Sequence, residues 1–301
     1  MGVRGLQSFV RQYSNPKTMD DLLHHDNSRL RIGIDISYYM YKWQGDVERI
    51  LTFLRRLESN KHRILLGFDG RAEEGKQWEA QRRRQAREDE LKSAHDLQAV
   101  LDSGAELTEE QRKHLESKIA EHQRRGWSIT RDVRNGTKRR FYEEKICMVK
   151  AKSEADGMLA AMNNVGTLDI VISGDMDLLA MGAKCLWTPI DDGLSFREYI
   201  REDILQELGL GDWQFRSMCA MCFTEASAEQ NIFDIRQAYQ AMRLWRNLET
   251  IKKRHPEWLT TWPDAEHIFY RSVDKVEGWV REDQIPIYKA FMNGEPMPYT
   301  D

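Results

Sequence analysis

The stretch that most constrains this chain is Leu168 to Gly182, LDIVISGDMDLLAMG. Leu168 to Ile172 is a short apolar run that predicts a strand buried on both faces, and it leads straight into Gly174-Asp175-Met176-Asp177 before an apolar helix start. Two carboxylates therefore stand where a core strand ends. An ionised Asp beside an apolar sheet needs a hydrogen-bond donor, an opposite charge or a cation. Taken alone, Asp175 and Asp177 read as a turn and a helix cap.

The pattern recurs. Arg31-Ile32-Gly33-Ile34-Asp35-Ile36-Ser37 is a second buried strand reaching an Asp, and Ile64-Leu65-Leu66-Gly67-Phe68 is a third, closing on Asp69-Gly70. A helix from Asp46 to Leu57 joins them. Strands alternating with helices predict an α/β fold with a mostly parallel central sheet, whose ligands gather at the carboxyl ends of the strands. Asp35, Asp69, Asp175 and Asp177 are thus expected along one edge. Ser153-Glu154-Ala155-Asp156 opens a further helix, with Ser153 as the expected N-cap. Acids favour helix N-termini in any case, but counted with the other four, Glu154 and Asp156 point to a divalent metal site. Thr224-Glu225, after the apolar segment Trp213 to Phe223, adds a seventh acid.

The net charge of −4 conceals a segregation. Lys76, Arg82, Arg83, Arg84 and Arg87 form one basic cluster, and eight Lys or Arg between Arg124 and Lys145 face only Asp132, Glu143 and Glu144. A local basic surface suits phosphate, and clustered acids suit a divalent metal. The charged region from Glu73 to about Lys150 reads as helical, broken near Ser103-Gly104 and again at Asn135-Gly136. It is either a solvated hairpin with i,i+4 ion pairs or a basic element above the acids. Lys76 and Arg83, seven residues apart, share a helix face. Lys150 and Lys152 read as solvated charges. Tyr38, Tyr39, Tyr41 and Trp43 follow the first Asp and serve either core packing or base stacking.

No apolar run reaches membrane-spanning length and the opening is too polar for a signal peptide, so an intracellular protein is expected, nuclear or cytoplasmic. Cys147, Cys185, Cys219 and Cys222 are expected as reduced core thiols, without zinc. The residues from Arg254 onward, with Trp258, Trp262, Phe269, Tyr270 and Trp279, are expected to pack on the main domain.

In order and spacing, these residues resemble the flap endonuclease and XPG-like family of structure-specific 5′ nucleases. The resemblance is carried by MGVRGL, IDISYYMY, FDG at 68–70, SEAD at 153–156, GDMDLLAMG at 174–182, and ILQELGL followed by QF at 204–215. It implies a PIN-like nuclease core over 1–225, a charged helical arch at about 73–150, and a degenerate helix-two-turn-helix region in a helical part over 226–301. By the same resemblance Asp35, Asp69, Glu154, Asp156, Asp175 and Asp177 would hold two Mg²⁺ ions, with Mn²⁺ as a substitute, and Glu225 would stand at the family's last Asp. Lys76 and Arg83 would be the catalytic cations. Tyr41 would stack on a base, Gly2 would approach the site, and Arg82, Arg84, Arg87, Arg139 and Arg140 are expected to contact nucleic acid. DNA is the implied substrate, with an RNase or a noncatalytic scaffold as alternatives.

Departures from the family pattern are also visible. Asn231-Ile232-Phe233-Asp234-Ile235 has no glycine for a K⁺-binding hairpin, the Asp46 to Lys61 connection is short, and no clamp-binding motif precedes the end, EPMPYTD. A monomer without a sliding-clamp partner is expected.

Overall fold

The fold is described from a computed structural model covering residues 2–24, 29–59, 61–71, 77–103, 107–222, 233–254, 256 and 275–298, with 77–80 described by backbone alone. Lys76, Glu225, Asn231, Ile232, Trp258, Trp262, Phe269 and Tyr270 lie outside the described residues.

A seven-stranded sheet forms the centre, in the order β1-β7-β6-β5-β2-β3-β4. The parallel part consists of β2 (Arg31–Asp35), β3 (Arg63–Phe68), β4 (Cys147–Lys150), β5 (Ile170–Ile172) and β6 (Cys185–Pro189). β7 (Ser195–Ile200) and β1 (Asn15–Thr18) add an antiparallel margin. β1 is polar and holds Pro16, so no apolar alternation announces it; an edge strand is held by backbone pairing with its neighbour.

Helices cover both faces. On one face lie α1 (Leu6–Val10), α8 (Ala155–Asn164), α9 (Asp177–Met181), α10 (Arg201–Leu208), α11 (Asp212–Ala220) and α12 (Ile235–Trp245), and this core extends to Val276, Trp279 and Phe291 near the C-terminus. On the other lie α2 (Met19–Leu23), α3 (Ile36–Lys42), α4 (Val47–Glu58) and α7 (Arg131–Glu143), around Tyr39, Trp43, Phe53 and Phe141. Between α4 and α7 in sequence, α5 (Gln77–Asp102) and α6 (Glu109–Gly126) form a long hairpin. α13 (Leu248–Arg254) follows α12, and α14 (Ile285–Asn293) packs beside β4. Cys147, Cys219 and Cys222 are buried thiols and Cys185 is half-buried.

Asn135-Gly136 does not break the arch region. α7 runs through both residues, and the break falls between α6 and α7, where Thr130 Oγ1 caps α7 by accepting from Val133 N at 3.2 Å. Gly136 faces open space, so its missing side chain costs helix propensity without displacing the boundary. Ser153 is likewise not the cap of α8. The Ala155 amide is capped from across the sheet, by Asp69 Oδ1 at 3.0 Å.

Candidate functional site

Strand order reverses between β5 and β2, since successive strands run outward from there in opposite directions. Asp35 ends β2 and Asp175 follows β5, so the two carboxylates flank the topological switch point, where open α/β sheets bind ligands. Asp69 follows β3 on the adjacent strand. α8 brings the next acids. Gly33 and Gly67 leave the sheet bare beneath Leu159, whose methyls lie 3.0 Å from where a Cβ would stand on either glycine. This close seat lets α8 start at the sheet edge, carrying Asp156 in its first turn with Glu154 just before it.

A relay of short contacts fixes the acids. Ser173 Oγ donates to Asp35 Oδ2 at 3.0 Å and accepts from Asp175 N at 3.1 Å; Asp175 Oδ1 in turn accepts from Asp177 N at 2.9 Å. Asp177 Oδ1 accepts from Val3 N at 2.5 Å, tying the N-terminal segment to the edge. Gly2 is packed so tightly that a Cβ there would stand 2.2 Å from Asp177 Oδ1 and 2.5 Å from Asp175 Oδ1. Ser37 Oγ donates to Asp69 Oδ2 at 2.8 Å. Ser37 and Ser173 are positioning residues that sequence reading missed. Their only signal is a hydroxyl residue close to each strand-terminal Asp.

The electrostatics are those of like charges held together, with Asp35 buried among them. Burial, then repulsion from Asp69, pushes Asp35 up to about 7, although Ser173 and the Tyr38 amide favour its charged form. Asp156 lies well above the usual carboxylate range through burial and the charges of Asp35, Asp175, Asp69 and Glu154. Its Oδ1 is buried without a hydrogen-bond partner. A crowded edge with an orphaned carboxylate oxygen fits a divalent cation, which would offset both penalties. Among the described residues, no three acidic, His or Cys side chains stand close enough to hold one ion as they lie.

A cleft of about 1260 Å³ opens over Asp35 and Asp175, bounded by Gly2, Ser37, Tyr41, Arg82 and Arg83. Arg82 and Arg83 come from the root of α5. Tyr41 is 43% exposed, with Trp127 edge-on at 5.8 Å and the Arg87 guanidinium 5.5 Å from its ring centroid; Arg87 Nη2 also donates to its hydroxyl at 3.0 Å. Tyr39 and Trp43 pack in the core instead. Arg84, Arg139 and Arg140 are placed differently: Arg84 pairs with Glu88, Arg139 with Glu143, and Arg140 with Glu48, Glu143 and Glu144.

An acidic edge at the switch point of a mostly parallel sheet, with a charged helical hairpin rooted beside it, defines a PIN-like α/β nuclease fold. The comparisons agree. The XPG I-region family model matches residues 145–225. Flap endonuclease 1-A of Sorghum bicolor is 24% identical over 245 residues, 74% of this chain and 61% of that protein. Flap endonuclease-1 from Methanococcus jannaschii shares the fold with a TM-score of 0.58 at 14% identity, over 89% of this chain and 84% of that one. The Holliday junction-resolving enzyme GEN1, solved with product DNA and Mg²⁺, gives a TM-score of 0.56 at 14% identity, covering 99% and 69%. The chain is thus similar to the XPG and flap-endonuclease-like nucleases in its I-region and in its fold. It spans about three fifths of the length of its plant relatives.

Proposed function

We propose that this chain is a metal-dependent phosphodiesterase, a structure-selective 5′ nuclease acting on branched or flapped DNA in replication, repair or recombination. The observation that carries the reading is the mutually repelling carboxylate row at the switch point, with Asp35 buried and Asp156 Oδ1 unpartnered, beneath a cleft lined by arginine and tyrosine. Asp35, Asp69, Glu154, Asp156, Asp175 and Asp177 would hold two Mg²⁺ ions, or Mn²⁺ in their place, with Glu225 as a seventh acid by resemblance. When bound, such ions supply Lewis-acid polarisation of the phosphate and activation of the attacking water.

The chain's own groups do the rest. Ser37 and Ser173 orient Asp69 and Asp35, and the Val3 amide holds Asp177. Arg83, joined by resemblance by Lys76, stabilises charge that develops on the phosphate, and Arg82 beside it adds to the positive wall. Tyr41, backed by Arg87, offers an exposed ring on which a base stacks.

The test is cleavage of end-labelled 5′-flap, nicked and single-stranded DNA and of matched RNA, with Mg²⁺ or EDTA, by wild type and Asp175→Ala. Metal-dependent cutting of DNA that disappears in the variant is expected. Cutting that survives both EDTA and the substitution would sink the reading, and preferential cutting of RNA would change its substrate.

A further inference from the structure

Beside the carboxylate row, on the side of β3 and β4, four cations come together from three separate parts of the chain. Lys138 of α7 is half-buried with its Nζ 4.6 Å from the centre of the Phe68 ring. Phe68 pairs in register with Lys150 on β4. The Lys150 carbonyl accepts from the Arg281 amide at 3.1 Å, which brings the C-terminal segment alongside. Arg134 lies one turn before Lys138 on the same face of α7.

The pairing of these groups is unlike that of their neighbours. Arg139 and Arg140, next on the same helix, are held by Glu143, Glu48 and Glu144. Arg281 pairs with Asp283. No ion pair from Lys138, Lys150 or Arg134 to an acid occurs among the described residues. Burial, then Lys150, Arg134 and Arg281, pushes Lys138 below its ordinary value, and Asp69 is the one acid acting on it in the opposite sense. A folded protein gains nothing by burying an unpaired lysine against other cations. An anion arriving from outside removes that penalty.

We propose that Lys138 and Lys150, with Arg134 and Arg281 around them, form a second phosphate-binding subsite, which takes a phosphate of the nucleic-acid strand on the far side of Asp69 from the Arg82/Arg83 cleft. It deepens the nuclease reading and rests on it for the identity of the strand. A strand crossing the carboxylate edge would meet Arg82 and Arg83 on one side and this cluster on the other. The aromatic floor of Phe68 and the lysine stems hold the charges in place, so a phosphate is met by a prearranged surface.

The experiment measures binding in EDTA, where no cleavage intervenes, of labelled single-stranded DNA carrying either a 5′-phosphate or a 5′-hydroxyl, across a range of salt concentrations. Lys138→Met keeps the stem on Phe68, Lys150→Gln removes the second charge, and Lys138→Arg is the rescue. The double variant should bind more weakly, with the slope of log K against log salt reduced by about 0.7 for each phosphate no longer neutralised. Lys138→Met alone should melt about 2 °C or more above wild type, because a buried repulsion has gone. Weakening on the phosphorylated strand alone assigns the subsite to a terminal phosphate, and equal weakening on both assigns it to an internal diester. Unchanged affinity and slope in folded variants would overturn the proposal, as would lost affinity accompanied by a lower melting point. The nuclease reading fails separately: a wild type that binds through Lys138 and cuts nothing keeps the subsite and loses the enzyme.

Discussion

The α5–α6 hairpin and the carboxyl edge of the sheet are both rich in charge, and they treat it in opposite ways. Within the hairpin, residues 88–121 carry ten acids against four lysines or arginines. The hairpin pairs exposed charges in the manner of surface helices, Lys113 with Glu109 and Arg125 with Glu121, and a half-buried hydrogen bond joins His122 to Glu90 across the hairpin. Its interior is small, with Ala94, Ile119 and Gly126 buried. At the sheet edge acids crowd together instead, with Asp35 buried and Asp156 Oδ1 left without a hydrogen-bond partner. Paired, solvated charge contributes little to stability and is tolerant of change. Unpaired buried charge costs stability, and a fold retains it where something binds.

The comparison is broken most severely by removing a charge at the edge. Asp156→Asn keeps the shape and hydrogen-bonding capacity of the side chain while cancelling its charge. Cleavage should fall by more than the roughly 10–100-fold that supporting hydrogen-bond partners of metal ligands carry. Single-turnover rates at saturating Mg²⁺ check this, and a near-normal rate would remove Asp156 from the set. Ser173→Ala should fall within that 10–100-fold range, because it releases Asp35 and the Asp175 amide together. Raising Mg²⁺ should recover part of the loss if Ser173 acts by orienting ligands; a loss indifferent to Mg²⁺ would make the serine a packing residue.

Such relays mark the limit of what was legible in the chain. β2, β3 and β5 are readable because central parallel strands are continuous apolar runs, and their terminal Asp residues are readable because acids rarely follow such runs. Polar β1 is not, because its pairing with β7 spans some 180 residues of sequence and leaves no periodicity. The same holds for Asp69 capping α8, and for Ser37 and Ser173, whose roles depend on which loop folds beside them. Lys150 reads as a solvated charge until Arg281 and Lys138 are seen next to it. The Asn135-Gly136 pair misleads for the converse reason: local turn propensity is real, but a capped helix packed through Phe141 overrides it.

A smaller effect, on stability, sharpens the contrast. In EDTA, Asp35→Asn should melt above wild type. The sign follows from the folded state, where Asp35 is raised to about 7 from an ordinary 3.8. Between those values the native protein binds the extra proton, so wild-type stability falls as pH rises through that window. The advantage of the Asn variant should be near zero at pH 4, grow toward pH 7 and level off above it, at a few kcal/mol. Mg²⁺ should narrow the gap by stabilising wild type alone. A pH-independent difference would mean that repulsion is not its source.

The finest test uses two adjacent arginines at the root of α5, where the two regimes of charge meet. Arg83 lines the cleft over Asp35 and Asp175, whereas Arg84 is turned outward, its side chain 80% exposed and paired with Glu88 one helical turn on at 2.9 Å. If position toward the carboxylates decides function, Arg83→Ala should slow turnover by about tenfold or more with a lesser effect on binding, since its interaction strengthens as charge develops on the phosphate. Arg84→Ala should leave turnover unchanged and cost no more than about 0.5 kcal/mol of stability, the usual worth of an exposed i,i+4 pair. Equal losses at the two positions would mean that the basic root acts as a diffuse field. Position toward the carboxylates would then cease to separate scaffold from site at the point where the hairpin joins the sheet.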